Sequence, residues 1–284
     1  MRTILAKTIT KNIKEMCIEA NYTLSKDVES AIIQFCDEPT GALDYQTGKK
    51  ILNQLEKKMN IAKEELIPIC QDTGMAVIFI NIGQDVHITG MNLEDAINLG
   101  IREGYQEGYL RSSIVKDPIE RENTNDNTPG VIHYNIVPGE NIEIIVAPKG
   151  FGSENMSKLY MLKPSDGIEG VKKVIIETVK NAGGNACPPM FVGVGIGGNF
   201  EKCTFLSKKA LTRDFNKHSD IEYIKELEEE LYITLNKLGI GPGGLGGTTT
   251  VLGINIETYP THIAGLPVAI NICCHVNRHV KRII

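Results

Sequence analysis

The sequence predicts a mixed α+β fold: a helical N-terminal region followed by mixed strands and helices. Two observations carry this. Up to about residue 66, apolar residues recur at helical spacing and no strand-like run interrupts them. Beyond residue 75, short runs rich in β-branched residues alternate with helical segments and with loops bearing glycine and proline. At 284 residues, 42% hydrophobic and 23% charged, the chain can bury a sizeable core. No flexible linker or internal repeat is visible. Residues 1–284 therefore read as a single domain with a helical subregion over about residues 1–66.

Taken in order, Ile9, Ile13, Met16, Cys17 and Ala20 share one helical face. Val28, Ala31, Ile32 and Phe35 form a second such face, with Ser25 placed to cap its helix. Ile51, Leu52, Leu55 and Met59 form a third. Cys17 and Cys36 lie in or beside these faces and read as packing residues. Residues 76–82 read as a buried strand. Asn92 is placed to cap a helix whose apolar face is Leu93, Ala96, Ile97, Ile101 and Tyr105. Residues 117–130 have loop chemistry. Residues 131–137 and 142–147 read as a hairpin across Pro138-Gly139-Glu140-Asn141. Further on come helices over about 167–180 and 221–238, and strands at 190–194, 251–256 and 268–272. A glycine-rich break lies at 241–247.

Composition narrows the functional classes. A net charge of -5 argues against nucleic acid as a main partner. No apolar run approaches the roughly 20 residues of a membrane helix. The N-terminal segment also lacks the apolar core of a signal peptide. The expectation is a cytoplasmic protein without membrane association. Seven scattered cysteines make a poor disulfide framework and suit packing, metal binding or reactivity instead.

The chemistry concentrates around Cys70-Gln71-Asp72-Thr73-Gly74, a polar group held between Pro68 and an apolar strand. Cys187 likewise precedes a strand, and Cys274 follows one. Three thiolates converging from such loops would suit an iron–sulfur cluster with one iron open as a Lewis acid, although no C-x-x-C motif occurs. A non-catalytic zinc scaffold built on Cys274, His275 and His279 is the rival reading. Residues 193–198 match G-x-G-x-x-G, but the following segment lacks the βαβ context of a dinucleotide fold. These glycines read as turn residues. His262 stands in a loop between two strands, with Pro260 and Gly265 on either side.

Several motifs occur together in one order. They are Cys-Gln-Asp-Thr-Gly at 70–74, Gly-Tyr-Leu-Arg at 108–111 and Asp-Asn-Thr-Pro at 126–129. Ala-Pro-Lys-Gly at 147–150 and Gly-Ser-Glu-Asn at 152–155 follow. Cys-Pro-Pro at 187–189, Gly-Gly-Leu-Gly-Gly-Thr at 243–248 and Cys-His at 274–275 complete the series. In this the chain resembles the alpha, or N-terminal, portion of class I fumarate hydratases and the related L-tartrate dehydratases. The resemblance spans about residues 43–279. Cys273 beside Cys274, Phe151 and Val276 depart from the family pattern.

The resemblance implies an oxygen-sensitive [4Fe–4S] hydro-lyase interconverting fumarate and L-malate, a reaction of the tricarboxylic acid cycle. L-Tartrate is the alternative substrate. It implies cluster ligation by Cys70, Cys187 and Cys274, and substrate contacts from Gln71, Arg111 and Gly152. It assigns Asp72 and His262 to acid–base work. It further implies a separate beta subunit carrying a swivelling domain, alpha–alpha pairing in an α2β2 assembly, and a small dicarboxylate substrate.

Overall fold

The elements run β1 (Arg2–Leu5), α1 (Ala6–Tyr22), α2 (Lys26–Asp37), α3 (Leu43–Glu65), β2 (Met75–Gly83), β3 (Val86–Thr89) and α4 (Leu93–Glu107). Next come β4 (Val131–Val137), β5 (Ile142–Lys149), the single-turn α5 (Phe151–Glu154), β6 (Lys158–Leu162), α6 (Gly167–Ala182) and β7 (Met190–Gly197). The chain closes with α7 (Phe200–Ala210), α8 (Glu222–Asn236), β8 (Val251–Tyr259), β9 (Leu266–Cys273) and β10 (Val280–Ile283). This computed structural model describes the backbone of residues 1–37 and 43–284, and the side chains of all of these except 36, 37 and 43–45. The side chain of Cys36 thus lies outside the described residues. The mixed α+β class is as the sequence predicts.

Internal packing groups the chain into two units. The first comprises Met1–Ser25, Lys58–Phe151 and Arg278–Ile284; the second comprises Lys26–Lys57 and Gly152–Asn277.

In the first unit a four-stranded sheet runs in the order β10–β5–β2–β4. Ile9, Ile13 and Met16 of α1 and Ile97, Ile101 and Tyr105 of α4 cover it, packing with Ile78, Ile80 and Ile144. The expected helical face of α1 is buried along its length, and Thr10 ties α1 to α4 by donating to the Ala96 carbonyl at 2.9 Å. The Asn92 side chain caps α4, accepting from the N–H groups of Glu94 and Asp95. The Ser25 hydroxyl, in contrast, is buried without a hydrogen-bond partner, so it does not cap α2.

The hairpin expected from β4 and β5 does not form. β2 lies between them, parallel to β4 and antiparallel to β5. The reason is burial. Ala76 to Ile80 are all buried, so β2 is apolar on both faces and takes the sheet interior. β4, mostly exposed or half-buried, suits the edge. The 138–141 loop instead bonds to the β2–β3 turn, through Gly83 N–H to Asn141 O and Asp85 N–H to Gly139 O.

The second unit has a sheet of order β6–β9–β7–β8. Val171, Ile175 and Val179 of α6 and Leu227, Leu231 and Leu235 of α8 pack with Val192, Ile254 and Ile270 of the strands. The glycines of the G-x-G-x-x-G match explain themselves here. A Cβ on Gly193 would meet the Ser207 carbonyl oxygen at 2.2 Å, and one on Gly195 the Cys203 oxygen at 2.1 Å. Gly193 and Gly195 are therefore not turn residues; they let α7 lie directly on β7.

The two sheets share one plan. In each, a central strand pairs parallel with the next strand of the same sheet on one side and antiparallel with the one after that on the other: β2, with β3 set aside in a separate sheet with β1, pairs with β4 and β5, and β7 pairs with β8 and β9. The strand after that is exchanged. β6 follows β5 in the chain but pairs with β9, and β10 follows β9 but pairs with β5. A repeat of topology thus exists where no repeat of sequence is visible.

Candidate active site

In the first unit the Cys70–Gly74 loop ends where β2 begins, opposite the last residues of β5: Met75 pairs with Lys149. Gly74 has φ +79, and a Cβ there would stand 2.7 Å from the Lys149 carbonyl carbon, so only glycine allows this approach. The rest of the loop is locked by polar contacts. The buried Tyr105 hydroxyl donates to the carbonyls of Thr73 and Gly74, both at 2.9 Å, and burial pushes its phenol up from the ordinary value. The amide of buried Asn127 donates to the Gly74 carbonyl at 3.2 Å while its Oδ1 accepts from Ser113 N–H at 2.8 Å.

The expected site residues of this unit meet around that loop. Thr73 Oγ1 accepts the Arg111 N–H at 2.9 Å and donates to the Arg111 carbonyl at 3.3 Å. Arg111 itself is exposed, as is Gln71. Asp72 Oδ1 accepts from Gly74 N–H at 3.0 Å and Oδ2 from Phe151 N–H at 2.9 Å. A Cβ on Gly150 would stand 3.0 Å from that Oδ2. The Asp72 carboxylate therefore joins the Cys70–Gly74 loop to the end of β5, and each oxygen keeps a further lone pair. Arg278, which the sequence reading did not single out, donates from Nε to Pro148 O at 3.2 Å and from Nη2 to Asp72 O.

In the second unit, Cys187 follows a 3-10 turn at Gly183–Ala186 and adopts a left-handed φ of +52. The glycine-rich segment supports it: Gly243 N–H donates to Pro188 O at 2.8 Å. Cys274 directly follows the β9 residue Cys273, which pairs with Phe191 near the start of β7. His275 Nδ1 lies 3.1 Å from the Cys187 carbonyl and donates to it, so the segments bearing Cys187 and Cys274 adjoin. Gly152 is exposed in α5, with nothing within 4 Å of a Cβ placed there. That turn is fixed by Glu154, which accepts from Lys208 and, at 3.1 Å, from the Asn271 amide. His262 is exposed at a largely apolar cavity of about 400 Å³ lined by Ile168, Val171, Ile196, Tyr223 and Leu266. Its Nδ1 accepts the Ala264 N–H at 3.1 Å, which leaves Nε2 as the protonated nitrogen of the neutral ring.

Exposure sorts the described cysteines. Cys17, Cys203 and Cys273 are buried; Cys70 and Cys274 are half-buried and Cys187 is exposed. Burial pushes the Cys17 thiol up to about 12 and raises that of Cys203, which disfavours the thiolates a metal needs. Cys273 Sγ points back to the Val276 carbonyl at 3.9 Å. Among the described residues no group of three or more His, Cys, Asp or Glu side chains is arranged to hold a metal ion. That holds for the zinc set Cys274, His275 and His279 as well. A cubane cluster takes its thiolates on different irons and spaces them more widely than one ion does. Accessible thiols in loops beside strands are the donor type such a cluster takes.

Comparison with known proteins identifies the class. A family profile described as "Fumarate hydratase (Fumerase)" matches residues 10–283. A protein of Methanocaldococcus jannaschii, named as a candidate L(+)-tartrate dehydratase subunit alpha, is 40% identical over 282 residues, covering 97% of each chain. The L(+)-tartrate dehydratase subunit alpha of Escherichia coli strain UTI89 is 34% identical over 271 residues, covering 92% of this chain and 88% of its own. The K12 counterpart is 33% identical over the same length. These matches define the class as a hydro-lyase. The chain belongs to the fumarate hydratase family.

Proposed function

We propose that this chain is the alpha subunit of a two-subunit iron–sulfur hydro-lyase that moves water across the central carbon–carbon bond of a four-carbon dicarboxylate, with fumarate and L-malate as the pair. The observation that carries it is the coincidence of motif and exposure: the three thiols of the family motifs are the three accessible ones among the described cysteines. L(+)-Tartrate is the second reading, favoured by the names of the relatives.

In this reading Cys70, Cys187 and Cys274 hold a [4Fe–4S] cluster. When bound, the cluster supplies Lewis acidity to a substrate hydroxyl and carboxylate. The chain's own residues do the rest. Arg111, held by its backbone against Thr73, offers a guanidinium that grips a carboxylate through two parallel hydrogen bonds. Gln71 and the open backbone at Gly152 complete the substrate contacts. His262 moves a proton at Nε2, and Asp72 shares the acid–base work through the lone pairs its backbone contacts leave. A dicarboxylate needs both ends held to react, and the remaining contacts come from a beta subunit with a swivelling domain. Two alpha chains pair to give an α2β2 enzyme.

The test is anaerobic reconstitution of the chain with and without its beta subunit, assayed with L-malate and L(+)-tartrate, with the mass of the complex measured alongside. Turnover is expected only for the cluster-loaded complex. An isolated chain that turns over at the rate of the complex would defeat the split-site reading, and the preferred substrate decides between the two dicarboxylates.

A further inference from the structure

Arg278 is 3% exposed, and its donors are unevenly used. Nε and Nη2 bond to the carbonyls of Pro148 and Asp72, while Nη1 is buried without a hydrogen-bond partner. Among the described residues no carboxylate stands within 4 Å of this guanidinium as an ion pair. The nearby Asp72 carboxylate is engaged by the N–H groups of Gly74 and Phe151. A buried cation with a spare donor is costly unless something anionic completes it. Its two carbonyl partners belong to the loop carrying Cys70 and to the end of β5, and only three residues separate it in sequence from Cys274.

We infer that Arg278 is a positioning residue of the Cys70 loop. It clamps that loop to the end of β5 through two backbone carbonyls and holds Nη1 for an anionic group bound beside the loop. The shared chemistry of that group is negative charge with hydrogen-bond acceptors. It comes from the thiolate-ligated cluster or from a substrate carboxylate. This rests on the proposed function for the identity of the anion, but not for the clamp. Lysine cannot replace the guanidinium, because a single ammonium does not reach two carbonyls in the planar geometry and still present a further fork.

The experiment compares wild-type chain with Arg278→Lys and Arg278→Gln, first confirming folding by circular dichroism melting. In the chain without cluster, iodoacetamide modification of Cys70 is followed by peptide mass, with buried Cys17 as the silent reference. Loss of two charge-assisted bonds should speed Cys70 modification roughly tenfold in Arg278→Gln, with Arg278→Lys between. After anaerobic reconstitution with beta subunit, the cluster potential is measured without substrate and KM is measured with L-malate and L(+)-tartrate. A lower potential in Arg278→Gln, from loss of a nearby positive charge, identifies the cluster as the anion. A raised KM at unchanged potential identifies the substrate carboxylate. Unchanged Cys70 reactivity overturns the clamp, and a change in reactivity with neither potential nor KM moved overturns the anion role. A wild-type chain that takes up no cluster refutes the functional reading and the anion role with it, while Cys70 modification still decides the clamp.

Discussion

Thr73 and Arg111 are joined by a reciprocal pair of hydrogen bonds, N–H to Oγ1 at 2.9 Å and Oγ1 to carbonyl at 3.3 Å. One hydroxyl thus sets the backbone of an exposed arginine relative to the Cys70–Gly74 loop. Thr73→Val keeps the shape and removes both bonds, leaving the Arg111 N–H and carbonyl without this partner. Stability should fall by about 1–3 kcal/mol. KM should rise more than kcat falls, because the guanidinium loses its aim and not its charge. Thr73→Ser should recover most of both. Urea unfolding of the chain and steady-state kinetics of the complex check this, and an unchanged KM in Thr73→Val would contradict it.

Asp72 accepts two backbone N–H groups with two different oxygens. An asparagine has one acceptor oxygen, so Asp72→Asn must turn an NH2 toward one of those donors. The expected cost is about 1–3 kcal/mol, in addition to any loss of turnover. Denaturant midpoints of both forms measure it. If Asp72→Asn lost turnover while keeping wild-type stability, the loop-joining role would be excluded.

Much of this was legible in the sequence, for physical reasons that particular elements show. The α1 face, the Asn92 cap and the β2 run are local patterns, and local periodicity reports them directly. The insertion of β2 between β4 and β5 was not legible. A short loop between two strands suggests a hairpin, but the need of β2 for two neighbours is a tertiary demand that overrides it. β1, β3 and β10, at four residues each, are too short to carry a period. The Cys70, Arg111 and Cys187 motifs stood out because polar residues beside glycine and proline interrupt apolar runs. Arg278 did not, since nothing in its neighbours announces that a charged side chain turns inward. Gly193 and Gly195 looked like a cofactor motif or a turn, and only the carbonyls of α7 explain them.

Asp126, in the Asp-Asn-Thr-Pro motif, gives a pH signature. Burial alone would raise its carboxyl, but hydrogen bonds from Arg102 and Thr128 outweigh that and lower it to about 2. A carboxylate lowered on folding adds stability that is fully present above its unfolded value of about 3.9 and is lost as pH falls through the folded value. The stability gap between wild type and Asp126→Asn should be widest near neutral pH and shrink progressively from about pH 5 to about pH 3. Half of the Arg102 side chain is exposed, so added salt should narrow the gap as well. Urea midpoints across that pH range check the direction, and a gap that widens on acidification would refute it.

The division of the cysteines gives the last prediction. Among the described cysteines, Cys187 is exposed and Cys70 and Cys274 are half-buried, whereas Cys17, Cys203 and Cys273 are buried. The neighbours Cys273 and Cys274 are the informative pair. β9 ends on buried Cys273, whose thiol lies 3.9 Å from the Val276 carbonyl, while Cys274, just beyond the strand, is half-buried. In the reduced chain, iodoacetamide should modify Cys70, Cys187 and Cys274 and spare Cys17, Cys203 and Cys273. Cluster loading should then protect the same three. Serine at any of them should remove the visible iron–sulfur absorbance of the reconstituted protein. Cys273→Ser should keep that absorbance and cost only about 1–3 kcal/mol of stability, because a hydroxyl replaces a buried thiol. If Cys273→Ser abolished the cluster while Cys274→Ser retained it, the assignment of the third ligand would have to move by one residue. The burial of Cys273 at the β9 end would then belong to the chain without its cluster alone.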